Sequence, residues 1–344
     1  MKGLATMAYS TFTSNRRMRA AAIFAMAFSA AGAVHAQSAQ RVQPLVIDVC
    51  GKPVTYARVP QRAVTHDVNI TEMFLYLGLG SRLVGYSGIP ASKDVSLRYR
   101  AALAKVPDLS RKDMNLESML GVRADFVFGG WSYGFRAGGV TPALLARYGV
   151  DSYVLRESCI HVEKRERIVL SDSLIDMRNV ARIFDVEKEN ALKLQALESR
   201  IQALEGEMQG VTKRPRVFVY DSGQRLPVTV GRFGTPHAMI EAAGGQNIFS
   251  DIASNWPTGN WEDVIARDPE WIVIIDYDQP DAQGKIDFLL AKKELAHVEA
   301  IRNKRFFVMT YSDATPSPAN VDRAEALARR LHPERFAAAT GAGR

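Results

Sequence analysis

The feature that most constrains this chain is an alternation of short apolar runs with helix-length amphipathic stretches, broken once by a long helical segment and then begun again. Ala63 to His66, Leu83 to Tyr86, Phe126 to Phe128 and Tyr153 to Leu155 read as strands, with helical stretches such as Thr71 to Leu79 and Thr141 to Tyr148 between them. From Arg216 the pattern restarts. Strands are expected at Val217 to Tyr220, Val228 to Val230, Ile272 to Ile275 and Phe306 to Met309, and helices near Pro236 to Ala243 and Val321 to Leu331. Such alternation predicts parallel sheets flanked by helices, because a parallel crossover is usually made through a helix. Ahead of the first series, Leu45 to Asp48 and Val54 to Arg58 flank Cys50-Gly51-Lys52-Pro53 and read as a hairpin with its turn in those four residues.

Between the two series, Glu187 to Gln209 has no proline and a single glycine near its end, while Leu194, Leu197, Ile201, Leu204 and Met208 recur at spacings of three and four. One amphipathic helix of about 35 Å follows from a rise of 1.5 Å per residue. A rigid connector between lobes is expected, with an ordinary surface helix of one lobe as the alternative. At 344 residues the chain exceeds the length at which one core keeps growing, which also favours two compact units.

The net charge of +7 is uneven. Lys2, Arg16, Arg17 and Arg19 fall within the first 36 residues, which hold no acid, and the remaining bases nearly match the acids. A near-neutral body without an arginine stripe argues against nucleic acid as a partner. Arg16, Arg17 and Arg19 precede an apolar run from Ala20 to Ala33, and Val34-His35-Ala36 supplies small residues before Gln37, so residues 1–36 read as a cleavable export signal. The general export route is expected over the twin-arginine one, since Asn15-Arg16-Arg17-Met18-Arg19 lacks the apolar pair that usually follows. With no cysteine before Cys50, a lipid anchor at the cleavage point is not expected; the reading is a free periplasmic protein. In that oxidising compartment Cys50 and Cys159 are expected to form a disulfide, the alternative being two separately buried thiols.

An internal correspondence carries more information than any local motif. Asn115-Leu116-Glu117-Ser118-Met119-Leu120 leads into Asp125-Phe126-Val127-Phe128, and Asn260-Trp261-Glu262-Asp263-Val264-Ile265 leads into Glu270-Trp271-Ile272-Val273, without a gap between the two alignments. Each has Asn where a helix is capped and Glu in the first turn, where the helix dipole favours an anion. Stabilising a helix start accounts for either glutamate alone; it does not require the same device twice.

Together with Pro60-Gln61-Arg62-Ala63-Val64 before Glu72-Met73-Phe74-Leu75-Tyr76-Leu77-Gly78, and with Gly244-Gly245-Gln246-Asn247-Ile248-Phe249, these segments resemble the helical-backbone substrate-binding proteins of ABC importers, of the cobalamin, haem and ferric-siderophore type. The resemblance covers about residues 45 to 335. It implies an α/β fold of two similar three-layer α/β lobes joined by one long α-helix, with the ligand cleft between the lobes. The expected organisation is signal 1–36, first lobe 37–185, connecting helix 186–210 and second lobe 211–344. It also implies a monomer that carries a metal-chelate ligand to an ABC permease dimer in the inner membrane, with Glu117 and Glu262 as the permease-docking residues.

Open α/β sheets bind ligands at the carboxyl ends of their strands. Gly129-Gly130-Trp131-Ser132-Tyr133-Gly134-Phe135-Arg136 follows a strand and is poor core material, so Trp131, Tyr133 and Arg136 are candidate ligand contacts. By the resemblance, Tyr86 lies beside that loop, and Arg232, Phe233, Trp256, Tyr311 and Asp313 complete the cleft from the second lobe. Arg136 and Arg232 would clasp ligand carboxylates or catecholates; a solvated arginine is the plain alternative for each. Trp261 and Trp271 read as core. His66, His161, His237, His297 and His332 are scattered singly, so no metal site or cofactor is expected. The chain lacks H-E-x-x-H, which leaves an exported hydrolase a poor alternative. A periplasmic ligand sensor or scaffold with the same lobes is the nearer one.

Overall fold

The computed structural model describes residues 40–337; the expected export signal at 1–36 lies outside the described residues. Strands β1 (Gln40–Val49) and β2 (Lys52–Arg58) form an antiparallel hairpin. Its turn is narrower than the sequence suggests. Cys50 and Gly51 alone make it, both at positive φ (51° and 72°), the two-residue geometry whose twist matches a hairpin. Pro53 sits instead in the ladder opposite Asp48, on a two-stranded sheet that tolerates a missing donor.

The first large sheet contains β3 (Ala63–His66), β4 (Leu83–Ser87), β5 (Asp108–Ser110), β6 (Phe126–Trp131), β7 (Gly134–Phe135) and β8 (Asp151–Val154). Its order is β5-β4-β3-β6, with β8 along Phe126 to Gly129 of β6 and β7 along Gly130 and Trp131, and these pairings are parallel. The second sheet contains β9 (Arg216–Tyr220), β10 (Gln246–Asn247), β11 (Trp271–Asp276) and β12 (Phe306–Thr310) in the order β10-β9-β11-β12, again parallel. Helices fill the crossovers, as the alternation requires. The chain is therefore α/β with two parallel sheets, one in each lobe.

The expected strand at Val228 to Val230 does not join the sheet. Val228 makes isolated bridges to Ser222 and Thr258, and Thr229 N donates to Pro257 O, so loops on both sides take the backbone groups a sheet would have used.

Each sheet has one point where successive crossovers leave in opposite directions. In the first the chain moves outward from β3 to β5 and returns to β6 on the other side of β3; in the second it moves from β9 to β10 and returns to β11. A crevice opens at the carboxyl ends of the strands at such points.

Packing follows the strand period of two. Phe218, Tyr220, Ile272 and Ile274 face one cluster with Phe249, Trp261 and Leu289, while Val217, Val219, Val273 and Ile275 face the larger core with Met239, Val321 and Leu327. That core continues through the long helix Glu187–Glu207, whose Leu194, Leu197, Ile201 and Leu204 are buried at the spacing expected of its apolar stripe. Its outer face is tied to helices on both sides: Arg178 to Glu198 at 2.6 Å, and Arg200 to Asp322 and Glu325 at 2.6 and 2.8 Å. Cys50 and Cys159 are joined by a disulfide, which pins the hairpin turn to the 3₁₀ segment Arg156–His161.

Candidate functional site

The carboxyl ends of the strands at and beside the two switch points deliver side chains to one crevice. Past β3 stands Asp67, past β6 come Ser132 and Tyr133, past β9 Asp221, past β11 Tyr277 and past β12 Tyr311. Ser132, Tyr133, Asp221, Trp256, Tyr277 and Tyr311 line a hollow of about 170 Å³. It opens beside a larger hollow of about 500 Å³ that Tyr277 and Tyr311 also line, with Ser92 and Asp94 from the first lobe and Asp276, Asp278 and Asp281 from the second. Tyr277 and Tyr311 meet edge to face, ring centroids 5.5 Å apart. An apolar wall carrying a few fixed polar groups is the usual make-up of a small-molecule site.

Hydrogen bonds join the lobes around this crevice. Tyr311 donates to Asp67 Oδ2 at 2.8 Å, and Lys93 Nζ donates to that same oxygen at 2.8 Å and to Tyr311 Oη at 2.9 Å. Ser312 donates to Glu72 at 2.6 Å, and Asn69 Nδ2 to Pro316 O at 3.1 Å. Glu157 spans the junction: Oε2 accepts from Tyr133 Oη at 2.7 Å, while Oε1 accepts from Thr235 N and Oγ1 at 2.9 and 3.1 Å. Burial raises the Glu157 carboxyl to about 7, and those donors hold it from rising further. The Asp221 carboxyl is also raised by burial, against the pull of Ser222, Tyr277 and Lys285.

Among the expected ligand contacts, Tyr133, Trp256 and Tyr311 reach the crevice together. The others do not line either hollow. Tyr86 is half-buried on β4 with Asp108 and Arg111 as its charged neighbours. Trp131 turns against Phe135, centroids 6.3 Å apart, because Ser158 Oγ accepts from its backbone N–H and fixes the loop. Arg136 pairs with Asp113 at 2.7 Å on an exposed face. Arg232 is spent on the carbonyls of Ser250 and Asp251, and Phe233 is buried with Ile168 and Ala238 where the lobes meet. Asp313 acts as a helix residue: it completes a capping box with Thr310 and pairs with Arg323 at 2.9 Å. Trp261 is buried in the second core, as expected.

Asp221 and Tyr277 escaped the sequence reading although the signal was present. Each is the next residue, or next but one, after a strand that was identified, and the carboxyl-end rule points to those positions. Asp67, the residue after the strand Ala63 to His66, carried the same signal, whereas Lys93 was beyond reach, since its role depends on a partner more than 200 residues away.

The paired helix starts are formed as read. Asn115 accepts from Ser118 N at 2.9 Å and Asn260 from Asp263 N at 2.6 Å. Glu117 and Glu262 are exposed, and neither makes an ion pair among the described residues. Each helix runs back antiparallel to the strands beside it, which places both glutamates on the same side of their sheets as the strand ends that form the crevice.

Burial lowers His66 and His237 to about 4, with Arg232 adding to the effect at His237. His66 fills space left by Gly88 and Gly134, where a Cβ would come within 2.5 and 2.7 Å of the ring. Among the described residues no cluster of three or more His, Cys, Asp or Glu is arranged to hold a metal ion.

Comparison with known proteins agrees with this architecture. Over 84% of the chain, the fold superimposes on 98% of a periplasmic binding protein from Veillonella parvula, with a TM-score of 0.72 and 25% identity. An ABC-type Fe3+-hydroxamate transport system protein from Saccharomonospora viridis gives 0.68 over 86% of this chain and 99% of that one, at 23% identity. In sequence, 162 residues are 27% identical to a vitamin B12-binding protein of Salmonella paratyphi A, covering 47% of this chain and 55% of the relative. The chain thus spans about half the length of that curated relative. The family described as periplasmic binding protein matches residues 64–312, well over half of the sequence, and its members bind solutes rather than transform them. On that match, the chain belongs to the periplasmic binding protein family.

Proposed function

We propose that this protein is the solute-capturing component of an ABC importer, receiving a metal chelate of the cobalamin, haem or ferric-siderophore kind in the periplasm and passing it to a permease dimer in the inner membrane. The observation that carries the reading is the crevice itself: strand ends bring Tyr133, Tyr277 and Tyr311, and the loop after β10 brings Trp256, around one hollow, an aromatic surface suited to a flat or bulky ligand. The ligands named for its relatives, vitamin B12 and an Fe3+-hydroxamate, are bulky metal chelates. The protein acts as a free monomer, released after removal of its first 36 residues.

Glu117 and Glu262 are the docking points. Two exposed negative charges on separate lobes, both on the crevice side, can meet two positive points on a symmetric permease while the crevice lies over its pathway. Rim charges of this sort set orientation and association rate. The test uses Glu117→Arg, Glu262→Arg and the double variant, each assayed for uptake, soluble affinity and melting. Uptake is expected to fall sharply with affinity unchanged. If the glutamates serve only their helices, each change costs roughly 0.3–1 kcal/mol through the helix dipole and uptake survives; normal uptake by the folded double variant overturns the docking role. Loss of a signalling output with uptake intact would instead favour a sensor.

A further inference from the structure

Glu157 is buried where the lobes meet, and no cation pairs with it among the described residues. Its partners are neutral: Tyr133 Oη donates to Oε2 from the first lobe, and Thr235 donates to Oε1 from the second through both its N–H and its hydroxyl. Asp67, at the same junction, differs in having Lys93 at 2.8 Å. Thr235 can serve the Glu157 carboxyl in either state. Its N–H always donates, but its hydroxyl donates to the ionised group and turns to accept from the protonated one.

The titratable groups around Glu157 come from several elements. Tyr133 follows β6 and Tyr311 follows β12, while the helix Asp172–Ile183 brings Asp172 and Asp176. Arg156, on the same 3₁₀ segment as Glu157, is turned with Arg165 toward Asp172. From the helix Thr235–Ala242, Thr235 and Ala238 face Glu157, whereas His237 and Glu241 line a separate hollow. Asp176 is bound by Tyr153 Oη and Arg156 N, both of its own lobe, so parting the lobes leaves its bonds intact. The same movement strips Thr235 from Glu157 and admits water there. We infer that Glu157 is a proton-operated latch between the lobes: protonated, it keeps the junction shut and holds Tyr133 with Trp256 in the wall of the ligand hollow; ionised, it lets the lobes part. Burial raises its carboxyl to about 7 while the junction is shut, and water returns it toward the ordinary 4.5 when the lobes separate. The shut junction therefore holds the proton more tightly. Parting is favoured as pH rises from 4.5 to 7, by at most about tenfold per unit of pH for one proton.

Lobe parting can be read without a ligand, so the outcome is separate from that of chelate capture. Native-state hydrogen exchange, followed by NMR on the ligand-free protein, has three reporters. Thr235 N–H donates to Glu157 and the Asn69 side-chain amide to Pro316 O, both across the junction, while Leu155 N–H donates to Gly129 O inside the first lobe. After correction for intrinsic exchange rates, the first two should lose protection together, by roughly tenfold or more between pH 5 and 7, and should stay less protected than Leu155. Glu157→Gln should remove that pH dependence, and Asp176→Asn should keep it. Loss at Thr235 alone would mark a single broken bond, and equal protection at all three groups would mean that the lobes part only when the chain unfolds. Either result overturns the latch, as does protection that is level between pH 5 and 7 or a loss that survives in Glu157→Gln. The parent's pH series needs no variant, so it decides the latch even where a substitution fails to fold.

Discussion

Breaking the bond between Cys50 and Cys159 tests what holds the first lobe together. The cysteines are 109 residues apart. For a loop of that length the chain-entropy relation gives about 4.8 kcal/mol at 25 °C, gained by restricting the unfolded chain. The perturbation is Cys50→Ala/Cys159→Ala, which leaves the left-handed backbone at position 50 on another L-residue and removes two sulfur atoms from a site of which only Cys159 is fully buried. At about 2.1 cal/mol/K per residue, ~300 residues melting as one unit would lose ~8 °C in Tm, whereas ~150 residues of a separately melting first lobe would lose ~15 °C. Differential scanning calorimetry of the parent, the reduced parent and the variant therefore reads both the size of the effect and whether the lobes unfold together. The bond also anchors the segment Arg156–His161, which presents Ser158 to Trp131 and Glu157 to Thr235. Hydrogen exchange should accelerate there and in Gly129 to Phe135 before it does elsewhere. A variant that melts within ~2 °C of the oxidised parent would refute the loop-closure reasoning.

Two further outcomes follow from the crevice. Trp256→Ala should weaken binding of the chelate that the protein retains by about 10- to 100-fold, the range expected for removing roughly 1.5–3 kcal/mol of apolar contact, with melting nearly unchanged; equal affinity by fluorescence titration would move the ligand away from the aromatic wall. Glu157 makes stability depend on pH. Because its folded value of about 7 lies above the ordinary glutamate value of 4.5, the folded protein holds its proton more tightly. Its contribution is complete below pH 4.5 and is lost as pH rises through 7. Glu157→Gln should flatten that decline in urea unfolding between pH 5 and 8, and an unchanged slope would show that the carboxyl does not titrate there.

Much of this protein was legible residue by residue. The periods of two and of three to four placed β3, β4, β6, β8, β9, β11 and β12 and the buried stripe Leu194, Leu197, Ile201 and Leu204, because those spacings report which face of a strand or helix leaves water, whereas β5, β7 and β10 are too short to show a period. The caps at Asn115 and Asn260 were equally readable, since a cap is settled within four residues of chain. Where the structure departs from the sequence reading, the physical origin is shared. Arg136, Arg232 and Asp313 have the chemistry of ligand contacts, but whether such a group is free depends on what folding places beside it: Asp113, the carbonyls of Ser250 and Asp251, and Arg323. Val228 to Val230 has strand residues, yet its backbone groups were claimed by neighbouring loops. The crevice lies at the far end of the same scale. Sequence placed the longer strands; strand order, which no local interaction encodes, decided where the crossovers reverse, and so brought Tyr133, Asp221, Tyr277 and Tyr311 to one wall.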